Sequence, residues 1–228
     1  MRFKLNCIIC LLLLVTTSAV AQVKTLIPGK DFSSIKVSTG LFVEIVTNAE
    51  EDKIEVRGSG RDEVSIEIEG DELQLSLPVG QIFSETEILV TVYTNEIVEL
   101  KVRSGSEVEF MTPVTQENLK LIASEGSYIG GELQVDYLSL RAVTGASLSL
   151  IGSAKTMTIE MKTGASFDGE ELKTETTDIS LSFGGEASVF VTETCNARVN
   201  AGGTILIYGH PETLSQNVKL GGEIKVLD

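Results

Sequence analysis

Ser104-Gly105-Ser106, Glu125-Gly126-Ser127, Thr144-Gly145-Ala146-Ser147, Thr163-Gly164-Ala165-Ser166, Gly184-Gly185, Gly202-Gly203 and Gly221-Gly222 punctuate the stretch from Leu100 to Asp228. Their first glycines are separated by 21, 19, 19, 20, 18 and 19 residues. Self-similarity at a fixed period dictates architecture, because each unit is one structural module that must stack on its neighbours. Three residues before each glycine stand Val102, Ala123, Ala142, Met161, Leu181, Val199 and Val218. Five before stand Leu100, Leu121, Leu140, Ile159, Ile179, Ala197 and Gln216. Seven before stand Val98, Leu119, Leu138, Met157, Thr177, Cys195 and Leu214. The residues between are mostly Lys, Arg, Ser, Asn, Thr or Glu. Apolar side chains at every second position mark a strand with one buried face. Gln216 is the polar break in its column, and it falls in the last repeat, where a terminal unit is expected to be atypical.

A second strand follows each glycine: Val108 with Phe110, Leu148 with Leu150, Ile205 with Ile207, Ile224 with Val226. The glycine therefore marks a corner between strands, a place for φ > 0 and close backbone approach. A unit of this length holds two or three short strands and no helix. It cannot bury its apolar face alone, but coils stacked at ~4.8 Å can. The spacing predicts an all-β fold, a right-handed single-stranded parallel β-helix, right-handedness being the default for parallel crossovers. Seven coils would span ~34 Å. An antiparallel sandwich would need hairpin turns, and this half has no Asn-Gly or Asp-Gly pair except Asp168-Gly169. Nor would hairpins hold the glycines at fixed phase with the apolar columns.

The chain opens Met1-Arg2-Phe3-Lys4, runs apolar from Cys7 to Val15 and reaches Ala19-Val20-Ala21. A basic start, an apolar core and an A-x-A site read as a signal peptide, residues 1–21, cleaved before Gln22. Cys7 and Cys10 lie inside that core, too early for a lipoprotein signal. The apolar run is too short to span a bilayer. Residues 22–228 are then expected to form one β-helix domain, with irregular N-terminal coils and cap over 31–97 and regular coils over 98–228. The mature chain carries 16 Lys+Arg against 33 Asp+Glu, a net charge of −17. Such acidity repels nucleic acid and anionic membranes. Cys195 is the one mature cysteine, expected as a buried thiol in the −7 column.

Residues 31–97 keep the alternation but lose the period. Ile35/Val37, Leu41/Val43/Ile45, Ile54/Val56, Val64/Ile66/Ile68, Leu73/Leu75/Leu77 and Ile88/Val90/Val92 are its strands. Gly70-Asp71 predicts a tight antiparallel hairpin, and Thr39-Gly40 echoes the later corners. Residues around Pro78-Val79-Gly80 and Ser84-Glu85-Thr86 read as a loop between coils. At the other end, Glu223, Lys225 and Asp228 read as charged protection of an exposed edge, the alternative being a last coil that pairs with another molecule.

The order Phe32-Ser33-Ser34-Ile35-Lys36-Val37-Ser38-Thr39-Gly40-Leu41-Phe42-Val43-Glu44-Ile45, then Val90-Thr91-Val92-Tyr93, then Leu100-Lys101-Val102-Arg103-Ser104-Gly105-Ser106 resembles the auto-transporter adhesin family with a "head GIN" domain. The Gly-Ala-Ser corners and Gly202-Gly203-Thr204-Ile205-Leu206-Ile207-Tyr208-Gly209-His210-Pro211 share the resemblance. These are secreted or periplasmic bacterial proteins. The resemblance covers nearly the whole mature chain, implies a β-helix and transfers no catalytic residue.

Chemistry is sparse. His210 is the only histidine and reads as a surface turn residue. Gly58-Ser59-Gly60-Arg61 lacks the strand-loop-helix context of a phosphate loop. Acidic groups gather at Glu50-Glu51-Asp52, at Glu67/Glu69/Asp71/Glu72 and at Asp168/Glu170/Glu171. Paired carboxylates serve glycoside hydrolysis, and oxygen ligands at Asp168/Glu170/Glu171 could hold calcium. Short coils leave little room for cleft-building loops, and no calcium repeat is present, so solvated faces are expected. The sequence therefore predicts no catalytic, cofactor or metal site. It predicts a non-enzymatic exported protein, periplasmic, on the outer surface or secreted. Such an adhesin-like or structural β-helix would bind an envelope or host-surface glycan or protein, with no nucleic acid and no membrane span. A β-helix polysaccharide lyase or hydrolase is the first alternative, and a self-assembly module is the second.

Overall fold

The computed structural model describes residues 23–78 and 88–227. The expected signal peptide and most of the expected loop after Pro78 lie outside them. Among the described residues there is no helix, and the chain winds as a parallel β-solenoid of about seven turns.

The regular part consists of β9 (Glu107–Ser124), β10 (Tyr128–Val143), β11 (Ser147–Lys162), β12 (Ser166–Ser182) and β13 (Glu186–Asn200), continued by β14 (Thr204–Tyr208), β15 (Thr213–Lys219) and β16 (Glu223–Val226). Each long strand bends through a turn, pairing in parallel with the strands before and after it. The expected columns are real stacks. Leu119 is opposite Leu138, Leu138 opposite Met157, Met157 opposite Thr177 and Thr177 opposite Cys195. Leu121, Leu140, Ile159, Ile179 and Ala197 line up beside them. All of these are buried. Three inward runs make up a turn: one after the glycine corner (Val108, Ile129, Leu148, Phe167), a middle one (Val114, Leu133, Ala154, Leu172) and one before the next glycine (Leu121, Leu140, Ile159).

The uneven period has one physical source. On the run after the glycine, β9 and β10 pair with an offset of 21 residues (Glu107 with Tyr128), but past the bend the offset is 19 (Leu119 with Leu138). In β12 and β13 it falls from 20 (Ser166 with Glu186) to 18 (Thr177 with Cys195). Extra residues are absorbed as bulges at this second bend, where β9 carries Met111-Thr112-Pro113 and β12 carries Glu170-Glu171-Leu172. Bulges take up insertions without disturbing the ladder on either side, so the glycine corners stay in line.

The N-terminal part departs from chain order. β2 (Ser34–Ser38), the Thr39-Gly40 corner and β3 (Phe42–Val46) form a coil. β6 (Glu72–Ser76) and β7 (Ile88–Tyr93) form the next one. The latter lies on the outer side of the former, and β8 (Glu99–Val102) with the start of β9 lies on its inner side. The first coil in sequence is thus the second in space. The strand alternation of 31–97 is as expected, but its order along the axis is not the chain order. Ile35, Leu73 and Leu100 present the same apolar spacing, so alternation cannot rank them.

Antiparallel strands close this end. β5 (Ser65–Glu69) turns at Gly70 into β6, as the hairpin expectation required. β4 (Lys53–Gly58) runs antiparallel on β7, and β1 (Val23–Leu26) antiparallel on β4. One hydrophobic core runs unbroken from Phe32 to Ile207.

Candidate binding surface

Outward side chains of the run before each glycine form two ladders. One is Glu99, Lys120, Ser139, Thr158, Asp178, Asn196 and Ser215. The other is Lys101, Ile122, Arg141, Glu160, Ser180, Arg198 and Asn217. Their charges are spent on one another. Lys101 Nζ lies 2.8 Å from Glu72 and 2.6 Å from Glu99, and Lys120 lies 2.7 Å from Glu99. Arg141 and Lys162 share Glu160, and Arg198 meets Asp178 at 2.7 Å. Burial works to raise the Glu99 carboxyl, but hydrogen bonds from Lys101 and Lys120 hold it below the usual range. Glu160 is held low by its hydrogen bond from Lys162, despite some burial, with help from Arg141. The Lys101–Glu72, Lys120–Glu99, Arg141–Glu160 and Arg198–Asp178 pairs tie coil to coil, and together the pairs leave little free charge to attract an ionic ligand.

The bend between the middle run and this sheet is different. A recess of about 390 Å³ is walled by Val98, Asn118, Tyr137, Ser139, Thr156 and Thr158. A second of about 430 Å³ takes in Gln134, Asp136, Ser153, Lys155, Glu175 and Thr192. They adjoin through Asp136-Tyr137 and Lys155-Thr156, giving a shallow groove along the solenoid axis. Tyr137 stands between Asn118 and Thr156 in register and is 53% exposed. Asp136 is engaged by Lys155 at 2.7 Å, and that hydrogen bond raises the lysine. Lys173 and Glu175 add charge to the second recess, whereas the first offers a ligand an aromatic face, an apolar wall and a row of hydroxyl and amide groups beside Lys120, which Glu99 holds.

Val98 is a correction. Its place in the −7 column predicted burial, yet it is 49% exposed. Ile97 takes the inward position instead. The Gln116 side-chain amide donates to the Ile97 carbonyl at 2.7 Å, and its oxygen accepts from the Ile97 N–H. That clamp fixes the backbone one residue out of phase just before β8. Val218 and Leu214, expected in the buried columns, are also exposed, because no coil lies over them among the described residues. Tyr137 carries no spacing signal of its own; only the bend exposes it.

The other sequence candidates do not converge. His210 is exposed, with φ 52° in the turn before β15. Arg61 folds back to the Gly58 carbonyl and lies 3.7 Å from Asp62. Glu72 is engaged by Lys36 and Lys101, and Gln74 donates to Glu69 and Glu72. Asp168 accepts from the Glu170 amide at 3.4 Å. The Tyr208 phenol is raised by burial and by neighbouring Glu170. Among the described residues no group of three or more His, Cys, Asp or Glu is placed to hold a metal ion. Nor is any described helix long and apolar enough to cross a membrane. Cys195 is fully buried, as expected.

Solved structures share this architecture. A "putative adhesin" from Bacteroides fragilis matches with TM-score 0.78 and 16% identity, over 90% of this chain and 97% of that one. A "putative adhesin" from Parabacteroides merdae matches with TM-score 0.70 and 16% identity, over 92% and 98%. A "putative lipid binding protein" from Parabacteroides distasonis matches with TM-score 0.68 and 14% identity, over 92% and 98%. Identity this low speaks for the fold alone. No curated protein matches the chain. The family model described as "Putative auto-transporter adhesin, head GIN domain" matches residues 31–211, and the chain belongs to that family.

Proposed function

We infer that the protein is exported, is not an enzyme, and binds a neutral, hydroxyl-rich glycan of the cell envelope or host surface. The observation that carries this reading is the groove along the bend, where Tyr137 stands exposed between Asn118 and Thr156. Aromatic faces flanked by hydroxyl and amide groups suit sugar rings, which present apolar C–H faces and equatorial hydroxyls. The strands beneath are held by ladders on both sides, so little ordering cost accompanies binding. Family membership supports the non-enzymatic, surface-binding role. The basic, apolar and A-x-A segments of residues 1–21 support export.

Glycan-array binding of wild type and of Tyr137→Ala tests the site. The variant should lose at least tenfold in affinity while keeping its melting temperature. Absence of binding to every neutral glycan, or equal binding by the variant, would sink the assignment. N-terminal sequencing of exported protein should begin at Gln22.

A β-helix lyase or hydrolase finds less support. Of the acidic residues walling the groove, Asp136 is already paired with Lys155. Such an enzyme would need two carboxylates facing one bond. Turnover of a polysaccharide by purified protein would reverse this judgement.

A further inference from the structure

The two ends of the solenoid are finished differently. At the N-terminal end antiparallel strands fold over the core, and the outer strand β5 displays Glu67 and Glu69. At the other end β15 pairs only with β13, and β16 only with β14. Their outer N–H and C=O groups have no strand partner among the described residues. The apolar columns stop uncovered there. Cys195 and Val199 are fully buried, but Leu214 and Val218, next in the same columns, are 36% and 46% exposed. Leu220 is 90% exposed and Val226 42%.

The expected charged protection does not reach this edge evenly. Glu223 and Lys225 sit together on β16 and pair at 2.9 Å, cancelling each other. β15 reads Thr213-Leu214-Ser215-Gln216-Asn217-Val218-Lys219, with one charge at its last position. Residues 209–227 carry two Lys and two Glu, whereas residues 23–208 carry 14 Lys+Arg and 30 Asp+Glu. Copies of an acidic molecule repel one another least over such a neutral surface.

β15 is also self-complementary. Set it antiparallel to itself with Gln216 on the two-fold axis. Leu214 then faces Val218 of the second copy, Ser215 faces its Asn217, and Gln216 faces its Gln216. Apolar inward residues meet apolar, polar outward residues meet polar, and the one polar residue of the buried column meets itself, where two amides exchange hydrogen bonds. The inward side stays inward across this two-fold axis, so the core continues from one copy into the next.

We propose that the uncovered C-terminal coil is a homodimer interface, in which β15 of one copy pairs antiparallel with β15 of a second and joins two solenoids tail to tail. The interface is isologous and closes on itself, so growth stops at two copies. Residues on opposed antiparallel strands lie about 4.5–5.5 Å apart between Cα atoms, within the span a disulfide bridges.

Sedimentation equilibrium on the purified protein, from low micromolar concentration upward, is the test, run beside Gln216→Lys and Gln216→Cys. Wild type should shift to twice the monomer mass as concentration rises. Gln216→Lys, which sets two ammonium groups on the axis, should stay monomeric with an unchanged melting temperature, since the side chain is exposed in one copy. Gln216→Cys should give a covalent dimer under mild oxidation and nothing larger, the buried Cys195 taking no part. A wild type that remains monomeric overturns the proposal. So does a dimer that survives Gln216→Lys, a mass that climbs past two copies, or a Gln216→Cys protein that fails to cross-link.

Discussion

The residue after each corner glycine shrinks along the solenoid: Leu41, Ser106, Ser127, Ala146, Ala165, then Gly185, Gly203 and Gly222. In the first coils this side chain is buried under the bend. In the last three it is a glycine at φ 110–112°, with no room for a Cβ; at Gly185 it would lie 2.3 Å from the Ala165 carbonyl oxygen. The two serines differ in what their hydroxyls meet. Ser127 Oγ donates to the Val102 carbonyl and accepts from the Ser124 N–H, each at 2.9 Å. Ser106 Oγ is buried with no hydrogen-bond partner among the described residues. An unmet buried hydroxyl costs free energy, whereas removing a satisfied one leaves its partners unmet, each effect being about 1–3 kcal/mol. Ser106→Ala should therefore stabilise the fold and Ser127→Ala destabilise it, as read from urea midpoints. Equal shifts of the same sign would contradict this. Cys195 gives a second residue-scale expectation. Burial, with some help from the Asp178 charge, pushes its thiol up to about 11 from an ordinary 9. Between these pH values the unfolded chain has lost the proton and the folded chain keeps it, so stability must fall as pH rises, by roughly 2–3 kcal/mol in all. Cys195→Ala should flatten that part of the profile. Native protein near neutral pH should resist alkylation, and rapid stoichiometric labelling would contradict the buried assignment.

At the scale of the element, each coil has two kinds of bend. The glycine corner puts two consecutive residues in the left-handed region, as at Thr144 (φ 54°) and Gly145 (φ 70°), and its Cβ position is open. The second bend carries the bulges and is crowded. A Cβ on Gly152, at φ 108°, would lie 2.1 Å from the Leu133 carbonyl oxygen of the coil before. Gly145→Ala should cost about 1–2 kcal/mol, the strain of a left-handed alanine. Gly152→Ala meets that strain and a backbone clash, and should cost several kcal/mol more or prevent folding, as thermal melts would read. A milder effect at 152 than at 145 would mean the second bend can open. The corners were legible in the sequence because only glycine suits them in every coil. The second bend was not, because its length varies and Gly131, Gly152 and Gly169 occupy it irregularly. The stacking of Leu119, Leu138 and Met157 follows from spacing alone. The seating of residues 34–46 between two later coils does not, since Ile35, Leu73 and Leu100 look alike to any periodic reading. The groove shares that limit: Tyr137 and Val98 are exposed by bend geometry and by the Gln116 clamp, neither of which has a period.

For the whole molecule, charge sets the balance between two opposing effects of salt. Ion pairs such as Lys120–Glu99 and Arg198–Asp178 join neighbouring coils. Exposed pairs of this kind contribute about 0–1 kcal/mol each and weaken as salt screens them. Against them stands a formal net charge of −15 for the full chain, crowded onto a rod whose core is only a few side chains wide. Most of its acidic groups lie outside those ladders, and their mutual repulsion is long-range. The screening length shortens from about 30 Å at 0.01 M to about 8 Å at 0.15 M. That change removes repulsion between distant carboxylates while leaving pairs under 3 Å largely in place. Melting temperature should accordingly rise over that range of sodium chloride, by about 2–4 °C for each kcal/mol of relieved repulsion. A melting temperature that falls instead would mean that the ladders, not the net charge, govern the electrostatics of the rod.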